Sequence, residues 1–177
     1  MDQQEKKLLR KLKKGNRKSF RQLYHLYADY ALRTAYLLTR SHSDAADVVQ
    51  ETFVKVYRYI DSYQIEKPFK PWFYRILINE CKRCLANRND LQLEIDEHID
   101  RLADDRSYEQ HAVSDLDIAL NMLNEHERTL LILKYINGFT EKELAELFTI
   151  NQNTLKSRLY KARQRLKEVL SGGVLDE

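Results

Sequence analysis

Polar and basic side chains share one face of a predicted helix near the C-terminal end of the chain. Apolar residues at helical spacing predict that its opposite face is buried: Leu155, Leu159, Ala162 and Leu166. The polar face carries Gln152, Asn153, Thr154, Lys156, Ser157, Arg158, Lys161 and Arg163. Amides near a helix start can read base edges in the major groove, and cations farther along can bind phosphates. The pattern indicates duplex DNA binding; the alternative is a solvated basic face on an ordinary helical hairpin.

A second cluster mixes aromatic rings with cations around two prolines. Its members include Lys67, Phe69, Lys70, Trp72, Phe73 and Arg75. Rings can stack on unpaired bases while cations bind phosphates, so the mixture suits single-stranded nucleic acid. Aromatic rings at a helix start also commonly anchor a hydrophobic core. On these residues alone, the two interpretations are equally open.

The two cysteines, Cys81 and Cys84, form a CxxC pair. A structural zinc site needs about four ligands, and no second Cys or His pair has matching spacing. The pair continues an apolar helical stripe, so we expect buried thiols and no metal or cofactor. No Gly-rich phosphate loop or nucleophile–base pair is present. The sequence therefore predicts neither an enzyme nor a small-molecule substrate.

Two short helices joined by a tight turn must position the C-terminal polar face. Thr140 followed by Glu143 is a capping box at the start of the first helix. Asn151 is placed to cap the second helix. This layout predicts a helix-turn-helix whose second helix enters DNA.

Composition favours an all-α fold, and the length is enough for one ordinary domain or two small ones. The chain of 177 residues has only 4 glycines and 2 prolines, which favours long helices with few turns. The net charge is +3, but residues 6–18 and 156–167 are basic whereas residues 94–115 are acidic. No signal peptide or apolar run of about 20 residues is visible, so we expect a soluble cytoplasmic protein.

Hydrophobic periodicity divides the chain further. It predicts helices over residues 6–14, from Asn16 or Ser19 to about Thr39, and over 44–62 with Ser43 as cap. A fourth helix has Pro71 in its first turn and continues to about Asn87. We predict an N-terminal domain at 1–90, an acidic linker at 91–112 and a C-terminal domain at 113–177. The outward face of the third helix carries Asp47, Gln50, Glu51 and Lys55. Taken alone, that face is best interpreted as a solvated surface.

Three motifs in order resemble signatures of bacterial extracytoplasmic-function (ECF) sigma factors. Residues 44–53, DAADVVQETF, resemble the family's DAxDLVQETF. Residues 71–79, PWFYRILIN, resemble its second signature, which begins Trp-Leu and ends in Asn. Residues 153–163, NTLKSRLYKAR, resemble its recognition helix, GTVKSRLxRAR. The resemblance covers about residues 5–170.

The resemblance implies partners and roles that the spacing does not supply. It implies that core RNA polymerase binds through its β′ clamp helices to Asp47, Gln50, Glu51 and Lys55. It implies that the minus-ten promoter element is melted by Lys67, Phe69, Lys70, Trp72, Phe73, Arg75 and Asn79. It implies that the C-terminal polar face listed above, Gln152 to Arg163, reads the minus-thirty-five element. The acidic linker would enter polymerase channels formed by the β′ and β subunits, and an anti-sigma factor would be the regulator.

The sequence departs from the family pattern at three positions. Arg83 stands where the family often has aspartate, Thr149 where the turn glycine is usual, and Asn153 where a glycine precedes the recognition motif. The rival hypothesis is a stand-alone helix-turn-helix regulator that binds duplex DNA without polymerase. It is supported by the C-terminal half only and leaves residues 44–79 unexplained.

Overall fold

All regular secondary structure is helical in the computed structural model, which describes residues 3–95 and 115–172. The first range contains α1 (Gln3–Lys13), α2 (Arg17–Thr39), α3 (His42–Tyr59) and α4 (Phe69–Ile95). The second contains α5 (Asp115–Asn121), α6 (Glu125–Leu131), α7 (Glu141–Phe148) and α8 (Gln152–Gly172). The all-α prediction is confirmed over these ranges. Within them, no helix combines the length and apolarity needed to cross a bilayer.

The start of α3 differs from the prediction by two residues. Ser41, not Ser43, is the N-cap, and its hydroxyl oxygen accepts a hydrogen bond from the backbone N–H of Asp44 at 3.2 Å. Ser43 lies inside the first turn, where its hydroxyl is 3.0 Å from that of Ser41. The DAADVVQETF motif therefore begins within the first turn of the helix. In that position Asp44 adds a negative charge at the positive end of the helix dipole.

Helix α4 has Pro71 in its first turn, as predicted, but it is longer than predicted at its C-terminal end. It begins at Phe69, and Pro71 occupies the first turn, where a backbone N–H has no partner within the helix. It continues through Asn87 to Ile95, past the domain boundary predicted at residue 90. Good helix formers such as Leu, Gln and Glu follow the asparagines and extend the helix. The remainder of the predicted linker, residues 96–112, lies outside the described residues.

Aromatic rings fill the core where α2, α3 and α4 meet. Phe53 of α3 lies 5.3 Å from Phe73 of α4, measured between ring centroids, and Phe69 lies 5.4 Å from Tyr63. All four rings are less than 5% exposed. Such pairs add about 0.5–1.5 kcal/mol each beyond the effect of burial alone. The core therefore fixes the start of α4 against α2 and α3.

The C-terminal domain packs α6, α7 and α8 together, and it also packs against the N-terminal domain. Leu155, Leu159 and Ala162 are buried and Leu166 is half-buried, which confirms the apolar stripe predicted for α8. One continuous apolar cluster includes residues of both domains. Tyr74 of α4 and Phe139 meet edge to face at 5.1 Å in this shared core. The two helical domains are thus in direct contact in the free chain.

Candidate nucleic-acid and polymerase interfaces

Side-chain caps define the helix-turn-helix of α7 and α8. The hydroxyl of Thr140 accepts from the backbone N–H of Glu143 at 3.2 Å, and the carboxylate of Glu143 accepts from the N–H of Thr140 at 2.8 Å. Asn151 accepts from the N–H of Thr154 at 2.7 Å. The predicted capping box and cap are therefore confirmed. Thr149 ends α7 with a φ of 55°, a left-handed conformation that usually favours glycine.

The polar face of α8 is directed away from the protein. Exposed residues are Gln152, Asn153, Lys156, Ser157, Arg158, Lys161 and Arg163, and Thr154 is half-buried. Within residues 3–95 and 115–172, no carboxylate forms an ion pair with Lys156, Arg158, Lys161 or Arg163. A helix with amides at its first turn and unpaired cations beyond can bind a polyanion along one side.

The predicted polymerase face of α3 divides into two parts. Asp47 and Gln50 are exposed, and Glu51 is half-buried. All three line a groove of about 650 Å³ between α3 and α4. Lys55 differs, because its ammonium lies 2.5 Å from the carboxylate of Glu80 and its side chain is only 24% exposed. Lys55 thus neutralises a buried carboxylate, and its predicted contact with polymerase stays a prediction.

Glu80 is a buried charge that the sequence analysis missed. It is 4% exposed, and its second partner is Arg83, whose guanidinium lies 2.6 Å from the carboxylate. The ion pair with Arg83 could have been predicted, because residues three positions apart lie side by side on a helix. Arg83, the departure from the family's aspartate, thus forms an ion pair within α4 beside the groove.

The aromatic cluster at the start of α4 separates into core rings and a surface ring. Phe69 and Phe73 are both 0% exposed, so neither can contact DNA directly, and the prediction for these two residues is wrong. They continue the spacing of four residues that leads to Leu77 and buries one side of α4. Trp72 is half-buried, and its ring lies 5.5 Å from Phe69 and 5.1 Å from Tyr63. The buried rings of Tyr63 and Phe69 therefore pack against Trp72.

Two predicted minus-ten cations contact backbone carbonyls of the C-terminal domain, Lys70 from a half-buried position and Arg75 from an exposed one. Lys70 donates to the backbone carbonyl of Asn137 at 2.5 Å, and its ammonium lies 4.6 Å from the centroid of the Phe139 ring. Burial lowers the pKa of Lys70, although Glu143 opposes this effect. Arg75 donates to the carbonyls of Glu146 and Leu147 at 2.9 and 3.2 Å, at the end of α7. Lys67 and Asn79 are also exposed.

An open cleft of about 1040 Å³ lies between the two domains. Trp72 and Lys67 line it from the N-terminal domain, and Gln152 and Asn151 line it from the helix-turn-helix. The structure thus brings the predicted minus-ten surface and the start of α8 to one opening.

The cysteine pair consists of one buried and one half-buried thiol. Cys81 is 2% exposed, and burial raises the pKa of its thiol to about 12. Burial also raises the pKa of Cys84, which is half-buried rather than fully buried as predicted. Both thiols are therefore protonated at neutral pH, in the form that is a poor nucleophile and metal ligand.

Comparison with known proteins matches both domains to one family of transcription proteins. Residues 23–90 match the family description Sigma-70 region 2, and residues 115–166 match Sigma-70, region 4. The chain is 27% identical to the ECF RNA polymerase sigma factor SigW of Bacillus subtilis, with 96% of this chain and 98% of SigW aligned. It is 31% identical to the ECF RNA polymerase sigma-E factor of Haemophilus influenzae, over 90% of this chain and 92% of the relative.

A solved structure has the same fold along most of the chain. It is the sigma factor RpoE of Bartonella quintana in complex with the anti-sigma factor NepR, at a TM-score of 0.72 and 30% identity. The match covers 88% of this chain and 99% of the solved one.

Proposed function

The chain belongs to the ECF RNA polymerase sigma factors, which bind core RNA polymerase and direct it to promoters, and we propose how its two domains divide that task. The observation that carries the proposal is the orientation of α8. Its apolar stripe is buried against the C-terminal domain, and its amide and cationic face is exposed. The α8 helix is thereby available to the major groove of a duplex.

In this proposal α8 reads the minus-thirty-five element. Gln152 and Asn153, in the first turn, contact base edges, and Thr154 and Ser157 support them with hydroxyl groups. Lys156, Arg158, Lys161 and Arg163 bind phosphates. The absence of carboxylate partners for these four cations among the described residues supports this role, since phosphate binding does not require an ion pair to break.

The start of α4 acts on the minus-ten element. Trp72 stacks on an unpaired base at the mouth of the cleft, while Lys67, Lys70 and Arg75 bind phosphates and Asn79 adds a polar contact. Phe69 contributes indirectly, because its buried ring packs on Trp72, and the Phe73 ring packs on Phe69 in turn. The chemistry of RNA synthesis belongs to the polymerase, and we propose that this chain is not itself an enzyme.

The exposed part of α3 binds the polymerase. Asp47, Gln50 and Glu51 contact the β′ clamp helices, and Lys55 keeps the neighbouring Glu80 neutralised. The predicted linker, residues 91–112, runs toward the channels of the β′ and β subunits. Since its polymerase is cytoplasmic, we propose the same location for this chain. The complex of the Bartonella relative with NepR supports an anti-sigma factor as a further partner.

Run-off transcription with purified core polymerase tests the proposal. We expect a promoter-dependent product with the intact chain and its loss in Gln50→Ala/Glu51→Lys. Lys7→Ala, an exposed change on α1, serves as the control and should transcribe normally. A chain that protects duplex DNA alone but gives no transcript with polymerase would instead be the stand-alone regulator.

A further inference from the structure

The first two helices carry a strong local positive charge. Residues 6–28 contain nine lysines and arginines and no carboxylate, although the net charge of the whole chain is only +3. Some of these cations have partners in the loop that precedes α4. Lys6 lies 3.4 Å from the carboxylate of Glu66, and Lys13 donates to the carbonyl of Asp61 at 2.9 Å. The cations that face away from this loop need another explanation.

Five of those cations flank the turn where α1 ends and α2 begins. Gly15 has a φ of 75° and makes this turn, and Asn16 caps α2 by accepting from the backbone N–H of Ser19 at 3.1 Å. We call the five cations the basic corner: Lys11, Lys14, Arg17, Lys18 and Arg21. All five are exposed, and no carboxylate in residues 3–95 or 115–172 forms an ion pair with any of them.

Helix electrostatics explains the corner cations of α1 but not those of α2. Lys11 lies in the last turn of α1, where the helix dipole favours positive charge. Arg17 and Lys18 lie in the first turn of α2, where the dipole disfavours positive charge and no acidic residue compensates. Arg17 and Arg21 are also like charges four positions apart, which repel each other. The corner therefore destabilises the free chain, and a bound polyanion would relieve that repulsion.

The helix that carries the first half of the corner borders the surface assigned to the minus-ten element. Arg10, within one turn of the corner, lies 4.0 Å from the carboxylate of Glu66, and Glu66 directly precedes Lys67. The same loop contains Tyr63, whose ring lies 5.1 Å from that of Trp72. A strand that stacks on Trp72 can therefore continue across this loop toward the basic corner.

We propose that the basic corner binds phosphates of the melted strand beyond the minus-ten element, on the side of the start site. Melting extends from the minus-ten element to the start site, so DNA on that side is single-stranded, whereas DNA toward the minus-thirty-five element stays double-stranded. This inference rests on the proposed minus-ten role of Lys67 and Trp72. Exposed cations bind a flexible backbone without reading its bases, so the contact adds affinity without sequence preference.

Removal of two corner cations tests the site. Lys14→Gln/Lys18→Gln removes two charges and keeps side chains that favour a helix. The holoenzyme is titrated with two fluorescent probes made from a promoter that it transcribes. Both probes have a duplex minus-thirty-five region and a single-stranded minus-ten element. The short probe ends at the minus-ten element, and the long probe continues for roughly 8 nucleotides, a typical length for a single-strand site.

The variant should lose affinity for the long probe only. The slope of log affinity against log salt should fall by about 1.4, since each of two phosphate contacts contributes about 0.7 on a single strand. If that contribution vanishes near about 1 M salt, binding at about 0.1 M salt is roughly 25-fold weaker. The short probe should bind the variant and the unaltered chain equally.

A matched control removes the same charge outside the corner. Lys7 and Arg33 are exposed cations on the same two helices, and Lys7→Gln/Arg33→Gln should leave the affinity for both probes unchanged. Equal affinities of the corner variant and this control for the long probe would overturn the proposal. A loss of equal size on the short probe would also overturn it, because the corner would then act on upstream DNA or on polymerase.

Thermal denaturation tests whether the corner is only structural. The corner variant should unfold at the same temperature as the unaltered chain or at a slightly higher one, because it lacks two mutually repelling charges. A large fall in the unfolding midpoint would make the corner a structural feature and would contradict the site.

The same titration separates failure of the corner from failure of the minus-ten assignment. Trp72→Ala should weaken binding of both probes, because both contain the minus-ten strand. If Trp72→Ala weakens both while the corner variant matches its control, the minus-ten role stands and the corner is wrong. If neither variant changes the affinity for either probe, both ideas fail.

A cross-link locates the strand independently. Lys18→p-benzoylphenylalanine in the holoenzyme, irradiated on the long probe, should attach to the single strand beyond the minus-ten element. The same photoreactive residue in place of Arg33 should give no cross-link to DNA. Attachment from position 18 to upstream duplex alone, or to a polymerase subunit alone, would contradict the proposal.

Discussion

The ammonium of Lys70 lies 2.5 Å from the carbonyl oxygen of Asn137, which joins the start of α4 to the segment before the helix-turn-helix. The two residues are 67 positions apart in the chain. A cation assigned to promoter DNA therefore already has a partner in the free protein, whereas the cations of α8 do not. The two proposed DNA-binding surfaces differ in this respect.

Removal of a phosphate-binding cation from α8 should flatten the salt dependence of promoter binding. Arg158→Ala or Lys161→Ala should each lower the slope of log affinity against log salt by about 0.9, since each phosphate contact displaces counterions. The measurement is a duplex titration with holoenzyme at several salt concentrations. Lys7→Ala is the control, and unchanged slopes in both α8 variants would refute the phosphate contacts.

Neighbouring aromatic residues at the start of α4 should respond differently to truncation. Phe73→Ala should destabilise the fold by about 3–5 kcal/mol, because it opens a cavity in a fully buried site. Trp72→Ala should cost less stability yet impair promoter melting more than initial promoter binding. Chemical denaturation and permanganate reactivity of the melted strand measure the two effects. Equal loss of binding and melting in Trp72→Ala would favour a purely structural role.

Replacement of Lys55 should lower the free energy of unfolding more than it lowers the affinity for polymerase. Lys55→Met leaves the buried Glu80 carboxylate with Arg83 as its remaining ion-pair partner, which should cost about 1–3 kcal/mol. Arg58→Met, an exposed change on the same helix, is the control for loss of one positive charge. Denaturation midpoints and affinity for core polymerase are compared in both. A large loss of polymerase affinity at unchanged stability would restore the surface role of Lys55.

Glycine should fit the left-handed backbone conformation at position 149 of the helix-turn-helix better than threonine does. Thr149 has a φ of 55°, so Thr149→Gly should stabilise the protein by about 0.5–1 kcal/mol after the entropy of the unfolded glycine is subtracted. Gly138 is the reverse case: its φ is 67° and nothing lies within 4 Å of an added Cβ. Gly138→Ala should therefore destabilise by about 1 kcal/mol through backbone strain alone. Thermal denaturation of both variants checks the opposite signs.

The helix caps and the apolar stripe of α8 could be predicted because each depends on residues that are close together in the sequence. The caps at Thr140 and Asn151 involve residues three positions apart, and the apolar stripe of α8 repeats every turn. The same logic could have assigned Phe69 and Phe73 to the core, since with Leu77 they recur every fourth residue. The ring-and-cation pattern left both interpretations open, and the family resemblance then assigned both rings to promoter DNA.

Contacts between distant segments were not predictable from periodicity. Asn137 meets Thr34 across 103 positions, and Lys55 meets Glu80 across 25. An Asn-Gly pair predicts a turn whether or not the asparagine side chain is buried against another domain. The predicted domain limits at 1–90, 91–112 and 113–177 remain predictions, although α4 continues past the first of them to Ile95.

The acceptors that hold Lys70 and Arg75 are neutral peptide oxygens and not carboxylates. Dissolved ions screen attraction between two charges, but they weaken a bond to an uncharged carbonyl much less. Rising ionic strength should therefore weaken the proposed phosphate contacts of α8 more than it weakens the bonds of Lys70 and Arg75 to these carbonyls.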